Sequence, residues 1–300
     1  MKILITGGTG FVGSALTGRL LAQGHQVTAL GSRGRSDGKG HPGLTYLTAD
    51  TSRPGDWQET VPEQDVLINL AGRSIFHLWS KSYKEQIRNS RVLTTRHLVE
   101  AMPEGGRIVL ISASAAGFYG DGGDQEKDES SPSGNGFLAE VCREWETEAR
   151  RAEGKGARVA IMRFGVILGT GGGAIATMKP PFRMGLGGPI GNGRQWFPWI
   201  HLEDLIRAFF LLLGRENLHG VYNFTAPGLI RQNEFADALG EALHRPAILP
   251  APAWVMKLVL GDLGRSLLQG QRTPPKALLK HGSAFLYPEL GPALREILGG

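Results

Sequence analysis

The chain has one cysteine, Cys142, in 300 residues. That excludes an intrachain disulfide and a cysteine-held metal cluster. Its eight histidines are scattered without ligand spacing, so no metal site is expected. Long apolar runs are missing as well, since a stretch such as Ala208 to Leu213 is far too short to span a bilayer. The first residues already read as a strand, which leaves no room for a signal peptide; the expectation is a cytoplasmic protein with no membrane partner. Blocks of one charge sign are absent too. The net charge is +5 and the isoelectric point about 9.4, yet basic residues alternate with acids and form no aromatic-interleaved patch. No nucleic-acid partner is therefore expected, and the positive excess amounts to a mild preference for anionic ligands. With 41% hydrophobic residues, the chain can bury a sizeable core.

What is present begins at the N-terminus. Ile3, Leu4 and Ile5 form the short apolar run of a strand buried on both faces, and the chain then breaks into Gly7-Gly8-Thr9-Gly10-Phe11-Val12-Gly13. Val12, Leu16 and Leu20 follow at helical spacing. Gly7 permits a tight turn, Gly10 lets backbone approach a pyrophosphate, and Gly13 lets helix and strand pack closely. The helix start offers free N–H groups and the positive end of its dipole. Strand, loop and helix together predict a dinucleotide site lined by Gly7, Thr9, Gly10, Phe11, Val12 and Gly13.

Strand and helix patterns then alternate. Strands are expected at 26–30, 44–48, 65–70, 107–112 and 158–163, with helices over 83–102 and 136–152. This predicts an α/β fold, a Rossmann-type doubly wound parallel sheet with a smaller C-terminal substrate lobe. Residues 1–168, with a strand returning near 221–226, are expected to form the dinucleotide-binding domain. The Gly- and Pro-rich stretch 169–194 reads as too irregular for one element, and 169–220 as a lid with connecting elements. Residues 227–300 read as a mostly helical lobe, with helices at 232–243, 253–260 and 290–298.

After the second strand, sites for NAD usually place an acid that accepts from the ribose hydroxyls. Here Gly31-Ser32-Arg33-Gly34-Arg35 stands instead. A guanidinium pairs with a 2′-phosphate and Ser32 adds a donor, so NADP(H) is the expected cofactor, held by Ser32 and Arg33. The alternative makes Arg33 and Arg35 solvated charges and brings in Asp37 for NAD. Asp50 and Thr51 are expected near the adenine, with a turn or helix-cap role for Asp50 as the alternative. Asn69-Leu70-Ala71-Gly72 is expected to bring backbone near the adenine ribose.

These segments resemble the extended short-chain dehydrogenase/reductase superfamily in the glycine loop, the Asn-x-Ala-Gly segment and the serine-rich fifth strand. The strings Ile87-Arg88-Asn89-Ser90-Arg91, Ser112 to Gly120, Phe137 to Cys142, Gly185 to Gly191 and Gly193 to His201 are similar to its atypical epimerase subgroup, the 39U family. The tail, Gly270-Gln271-Arg272 through Tyr287-Pro288-Glu289-Leu290, is similar to that subgroup's C-terminal domain of unknown function. The resemblance covers essentially the whole chain, and it implies fold and cofactor more strongly than reaction. Arg91, Ser112 and Phe164 complete the expected cofactor set.

The superfamily's chemistry uses a Tyr-x-x-x-Lys pair on a helix and a hydroxyl on the preceding strand. The equivalent helix here lacks both residues. Aligned on Glu146, Leu138 and Cys142 stand in their places; shifted by one, Phe137 and Val141 do. The family hydroxyl falls on Ser114 if this loop carries one extra residue and otherwise on Ala115, with Ser112 nearby. Ser114, holding the reacting oxygen, and Tyr119, as acid, are the expected catalytic residues, and packing is the alternative for Tyr119. Lys84, Arg88 and Arg91 lie on one helix face that lines the cleft or solvent. Arg163 and Arg194 read as anion ligands or surface charges, and His201 as a helix start. The expectation is an oxidoreductase or epimerase-like protein, monomer or homodimer, with a small polar and sugar-nucleotide-like substrate. The competing expectation is a non-catalytic NADPH-binding regulator.

Overall fold

The computed structural model describes residues 1–32 and 40–299. In chain order its strands are β1 (Lys2–Thr6), β2 (Gln26–Gly31), β3 (Leu44–Thr48), β4 (Val66–Asn69), β5 (Val109–Ala115), β6 (Arg158–Phe164), β7 (Val166–Leu168), β8 (Trp199–His201) and β9 (Gly220–Phe224). Seven of them form one parallel sheet in the order β3-β2-β1-β4-β5-β6-β9. The order reverses between β1 and β4, the position at which open parallel sheets bind ligands beyond their strand ends.

The two periodicities of the sequence divide the core between the faces. Ile3, Ile5, Ile68 and Ile111 point to one side, where helices α1 (Phe11–Ala22) and α5 (Leu202–Gly214) cover them with Leu16, Leu20, Leu205 and Phe209. Leu4, Leu67, Leu110 and Ile161 point to the other, against α2 (Lys81–Glu100) and α3 (Phe137–Arg150). Helix α2 starts where Ser80 accepts a hydrogen bond from the Tyr83 N–H at 3.1 Å, relieving one of the unpaired donors of the first turn.

The stretch read as irregular is partly ordered. It holds α4 (Gly173–Arg183), whose Ala174, Ile175 and Phe182 pack into a second core with Phe235, Leu239, Leu294 and Ile297. That burial sustains a helix which Pro180 and Pro181 in its last turns argue against. Helix α5, within the stretch read from sequence as a lid with connecting elements, packs in the sheet's own helical layer. Strands β7 and β8 form a separate parallel pair.

The C-terminal lobe comprises α6 (Gln232–Ala242), α7 (Ala253–Leu267), α8 (Lys276–Lys280) and α9 (Leu290–Gly299). A strap at 270–275 stitches it to the sheet domain. The Lys127 N–H donates to Arg272 O at 2.8 Å, and Thr225 Oγ1 donates to Thr273 O at 2.6 Å. Asp204 on α5 accepts from the N–H groups of Leu286 and Tyr287 at 2.6 and 2.9 Å.

Candidate functional site

The glycine loop has the geometry its sequence implies. Gly7 has φ +71°, and a Cβ there would stand 2.9 Å from the Leu70 carbonyl carbon and oxygen. At Gly13 a Cβ would lie 2.2 Å from Gly7 O, so only glycine lets α1 seat against the loop. Gly10 is exposed, with Gly7 O at 3.2 Å the nearest obstacle to a side chain. Within α1 the first bond returned to the loop is from the Ser14 N–H to Gly10 O at 2.9 Å. Among the described residues the N–H groups of Phe11, Val12 and Gly13 have no acceptor, and no acid stands in the first turn. This is an anion cradle of backbone donors.

Side chains around the loop serve the cradle indirectly. The Phe11 ring turns away and packs where a Cβ on Gly172 or Gly173 would be 2.5 or 2.7 Å from it. Thr9 closes over β2, its Oγ1 2.3 Å from the place of a Gly31 Cβ. Val12 packs into the core under α1. Ser32 is exposed at the end of β2. Arg33, Arg35 and Asp37, which carry the choice between the two dinucleotides, lie outside the described residues.

Several residues expected to touch the cofactor are tied up in the protein. Asn69 is fully buried: its Oδ1 accepts from Thr6 Oγ1 at 2.7 Å, and its Nδ2 donates to Thr95 and Ser112 at 2.7 and 3.1 Å. Its amide pins β1, β4, β5 and α2 together, and Thr6 in turn accepts from the Ala71 N–H at 3.3 Å. What Leu70, Ala71 and Gly72 offer is backbone. Thr51 bonds Thr94 at 2.8 Å, anchoring the chain after β3 onto α2. Asp50 accepts from the N–H and hydroxyl of Ser52, which is the turn role. Phe164 stacks edge-on with Phe224 at 5.6 Å, and the His201 ring accepts from the Glu203 N–H at 3.1 Å as the cap of α5.

The expected catalytic hydroxyls share one buried network. Ser114 Oγ donates to Glu146 Oε1 at 2.7 Å, and Arg163 grips the same carboxylate with two bonds of 2.8 and 2.9 Å. Arg163 also donates to the Tyr119 hydroxyl at 2.9 Å, which donates to Asn223 Oδ1 at 2.7 Å. The Asn223 amide ends on the carbonyls of Lys127 and Pro274, the latter in the strap. Ser114 and Tyr119 are each 1% exposed, and burial pushes the Tyr119 phenol up to about 12. Tyr119 therefore sits in the packing role, not that of a ready acid. Arg163, read as an anion ligand or surface charge, is neither: it is 2% exposed and neutralised internally. The sequence signal for Glu146 is that it interrupts the apolar stripe of Cys142, Trp145 and Ala149 on α3, and a charge in a core stripe demands a buried partner.

Leu138 and Cys142, one of the two pairs read in place of the catalytic pair, lie against the end of β5 and the turn after it. A Cβ on Gly117 would meet Leu138 at 3.4 Å, and Cys142 Sγ lies 3.9 Å from Ala115 O. Ala115, Leu138 and Cys142 lie at this junction of β5 and α3. Burial and the Glu146 carboxylate push the Cys142 thiol up to about 11. Lys84 and Arg88 point into ion pairs, with Asp262 of α7 and with Glu144 at 2.6 Å. Arg194 lends its carbonyl to Arg231.

A switch-point crevice with an unblocked glycine cradle defines a Rossmann-type dinucleotide-binding protein. Comparison with known proteins narrows the class. Residues 3–224 match the NAD dependent epimerase/dehydratase family and residues 251–297 a domain of unknown function, DUF1731. The chain belongs to the NAD dependent epimerase/dehydratase family. It is 39% identical over 308 residues to the chloroplastic SDR39U1 homolog of Arabidopsis thaliana, covering 99% of this chain and 87% of that relative. It is 39% identical over 305 residues to the mouse epimerase family protein SDR39U1, covering 99% of this chain and all of that one. The crystal structure of human SDR39U1 isoform 2 with NADPH superposes with a TM-score of 0.86 at 37% identity over the whole of both chains. Among the described residues no helix is long and apolar enough to cross a membrane.

Proposed function

We propose that this chain binds NADP(H) across the ends of β1, β4 and β5 and exchanges hydride with a small polar, sugar-nucleotide-like substrate. The observation that carries the proposal is the cradle: three N–H groups without acceptors and a glycine whose missing side chain leaves room for a pyrophosphate. Phe11, Val12 and Gly13 would hold the pyrophosphate through their backbone, with Ser32 and Arg33 at the 2′-phosphate. The NADPH in the human relative supports the choice of cofactor. When bound, the nicotinamide supplies or accepts the hydride.

The chain's own residues set the rest of the chemistry. Ala115, Leu138 and Cys142 carry no group able to give a proton near neutral pH, so they shape the wall. Ser114 positions Glu146 and β5 and does not hold substrate, and the proton comes from water admitted with the substrate. A second reading, a non-catalytic NADPH-binding regulator, is favoured by that same apolar trio. Stopped-flow oxidation of bound NADPH against a panel of carbonyl compounds and sugar nucleotides separates the two. Substrate-dependent oxidation supports an enzyme; tight NADPH binding without turnover supports the regulator. Tighter binding of NADH than of NADPH overturns the cofactor assignment.

A further inference from the structure

The C-terminal lobe turns an apolar face outward. Segments 183–191 and 245–251 run side by side: the Leu249 N–H donates to Gly187 O at 3.1 Å, the Ala251 N–H to Pro189 O at 2.8 Å, and Arg245 Nε to Arg183 O at 3.3 Å. Helix α7 follows at once, from Ala253. Along this continuous surface Met184, Leu186, Ile248, Trp254, Leu258 and Val259 stand 59 to 76% exposed. The buried residues of α7, Leu263 and Gly264, both come after the break in the helix at Gly261, where φ is +55°. Its first half therefore holds no buried residue, and Trp254 and Leu258, one turn apart, share one side of it.

The charge on this face has one sign. Residues 179–191 and 244–260 contain Lys179, Arg183, Arg245 and Lys257 and no acid. Among the described residues none of the four has a carboxylate within ion-pair distance. The acids that border these segments in the chain are Glu241 and Asp262, and Lys84 and Arg265 hold the latter. Neither segment is a charge block by itself; the fold assembles the patch by laying one beside the other.

Large exposed apolar groups gathered in one patch mark a surface that something covers. A second copy of this chain does not suit it, because a two-fold contact would set the same four cations against themselves. A bilayer with anionic headgroups suits both features. Trp254 and the aliphatic side chains enter the headgroup boundary, and lysine and arginine meet the phosphates.

We propose that this face, led by Trp254, Leu258, Arg245 and Lys257, docks the protein on the surface of an anionic lipid bilayer. The sequence-based expectation of no membrane partner rested on the lack of a spanning run, and a surface dock needs none. The proposal is independent of the cofactor reading.

The test is flotation of the full-length chain with phosphatidylcholine vesicles and with vesicles that also contain phosphatidylglycerol. Wild type is expected to float with the anionic vesicles, to remain behind with the neutral ones, and to be released by salt. Trp254→Ser combined with Leu258→Ser should cut partitioning by about tenfold or more. Replacing Arg245 and Lys257 by alanine should cut it about fivefold for each charge removed. Leu279→Ser, which removes an exposed leucine on α8 beside β9, should change nothing. All these side chains are exposed, so circular dichroism and melting temperature should stay native. Wild type that stays in solution with anionic vesicles overturns the proposal, and so does equal flotation with both kinds of vesicle. A loss in Leu279→Ser as great as in the Trp254 and Leu258 variant overturns the assignment to this face. A dimer in sedimentation velocity that the Trp254 and Leu258 changes dissolve gives the face to a second copy and overturns it too.

Discussion

Replacing Glu146 by leucine should be among the most damaging single changes in this protein. The carboxylate is 4% exposed and carries three bonds: one from Ser114 at 2.7 Å and two from Arg163 at 2.8 and 2.9 Å. Removing it strands a buried guanidinium, which costs about 3–5 kcal/mol, and leaves the Ser114 hydroxyl without its acceptor. Taking about 4 kcal/mol as the sum after relaxation, the melting temperature should fall by on the order of 8 °C. The decisive assay is a double-mutant cycle in urea or by calorimetry with Glu146→Leu, Arg163→Met and both together. Since the double variant buries neither charge, it should be less destabilised than the two singles added, by roughly 1–3 kcal/mol. Additivity within about 0.5 kcal/mol would refute the claim that the two charges neutralise each other. A loss below about 1 kcal/mol in Glu146→Leu alone would mean that the network is wet and not a buried core element.

Three further outcomes follow from the same geometry. Gly13→Ala should abolish NADPH binding in fluorescence titration while circular dichroism stays native, because its Cβ would stand 2.2 Å from Gly7 O and force the cradle open; near-wild-type affinity would show that the loop yields. The Cys142 thiol, buried and pushed up to about 11, should resist a chromogenic disulfide reagent in the native protein and react on denaturation; fast labelling of the native state would place it in the open cleft. Burial raises the Tyr119 phenol from 10.0 to about 12, so the unfolded chain ionises first and stability contributed by the neutral phenol, complete below pH 10, is lost as pH rises toward 12. Tyr119→Phe should therefore show a shallower decline of stability over that interval, and identical slopes would remove the phenol from the account.

The sheet was legible because strands buried on both faces write themselves as unbroken apolar runs. β1 and β4 carry Ile3-Leu4-Ile5 and Val66-Leu67-Ile68, and the structure pairs them residue for residue, Ile3 with Val66 and Ile5 with Ile68. The sequence pattern ends β5 at Ser112, but the strand runs to Ala115, because Ser112 and Ser114 are strand residues whose hydroxyls are satisfied by Asn69 and Glu146. Local pattern has no access to such partners: Ser114 and Glu146 lie 32 residues apart. Helix α4 is illegible in sequence for a related reason, since two prolines outweigh its apolar residues until the second core is there to bury them.

From the chain alone, then, came the parallel sheet, the glycine cradle and the loss of the tyrosine–lysine pair. Each is written in a contiguous stretch and depends on backbone geometry or on the presence of a residue type. Tertiary structure alone decided the fate of the charges. Arg163, Arg88 and Arg91 are indistinguishable as cations in sequence. Packing matches the first to a buried carboxylate and the second to a partly exposed one, and leaves the third against carbonyls and an indole beneath Gly72. The reason is that the worth of a charge depends on what surrounds it within a few ångströms, and those neighbours arrive from elsewhere in the chain.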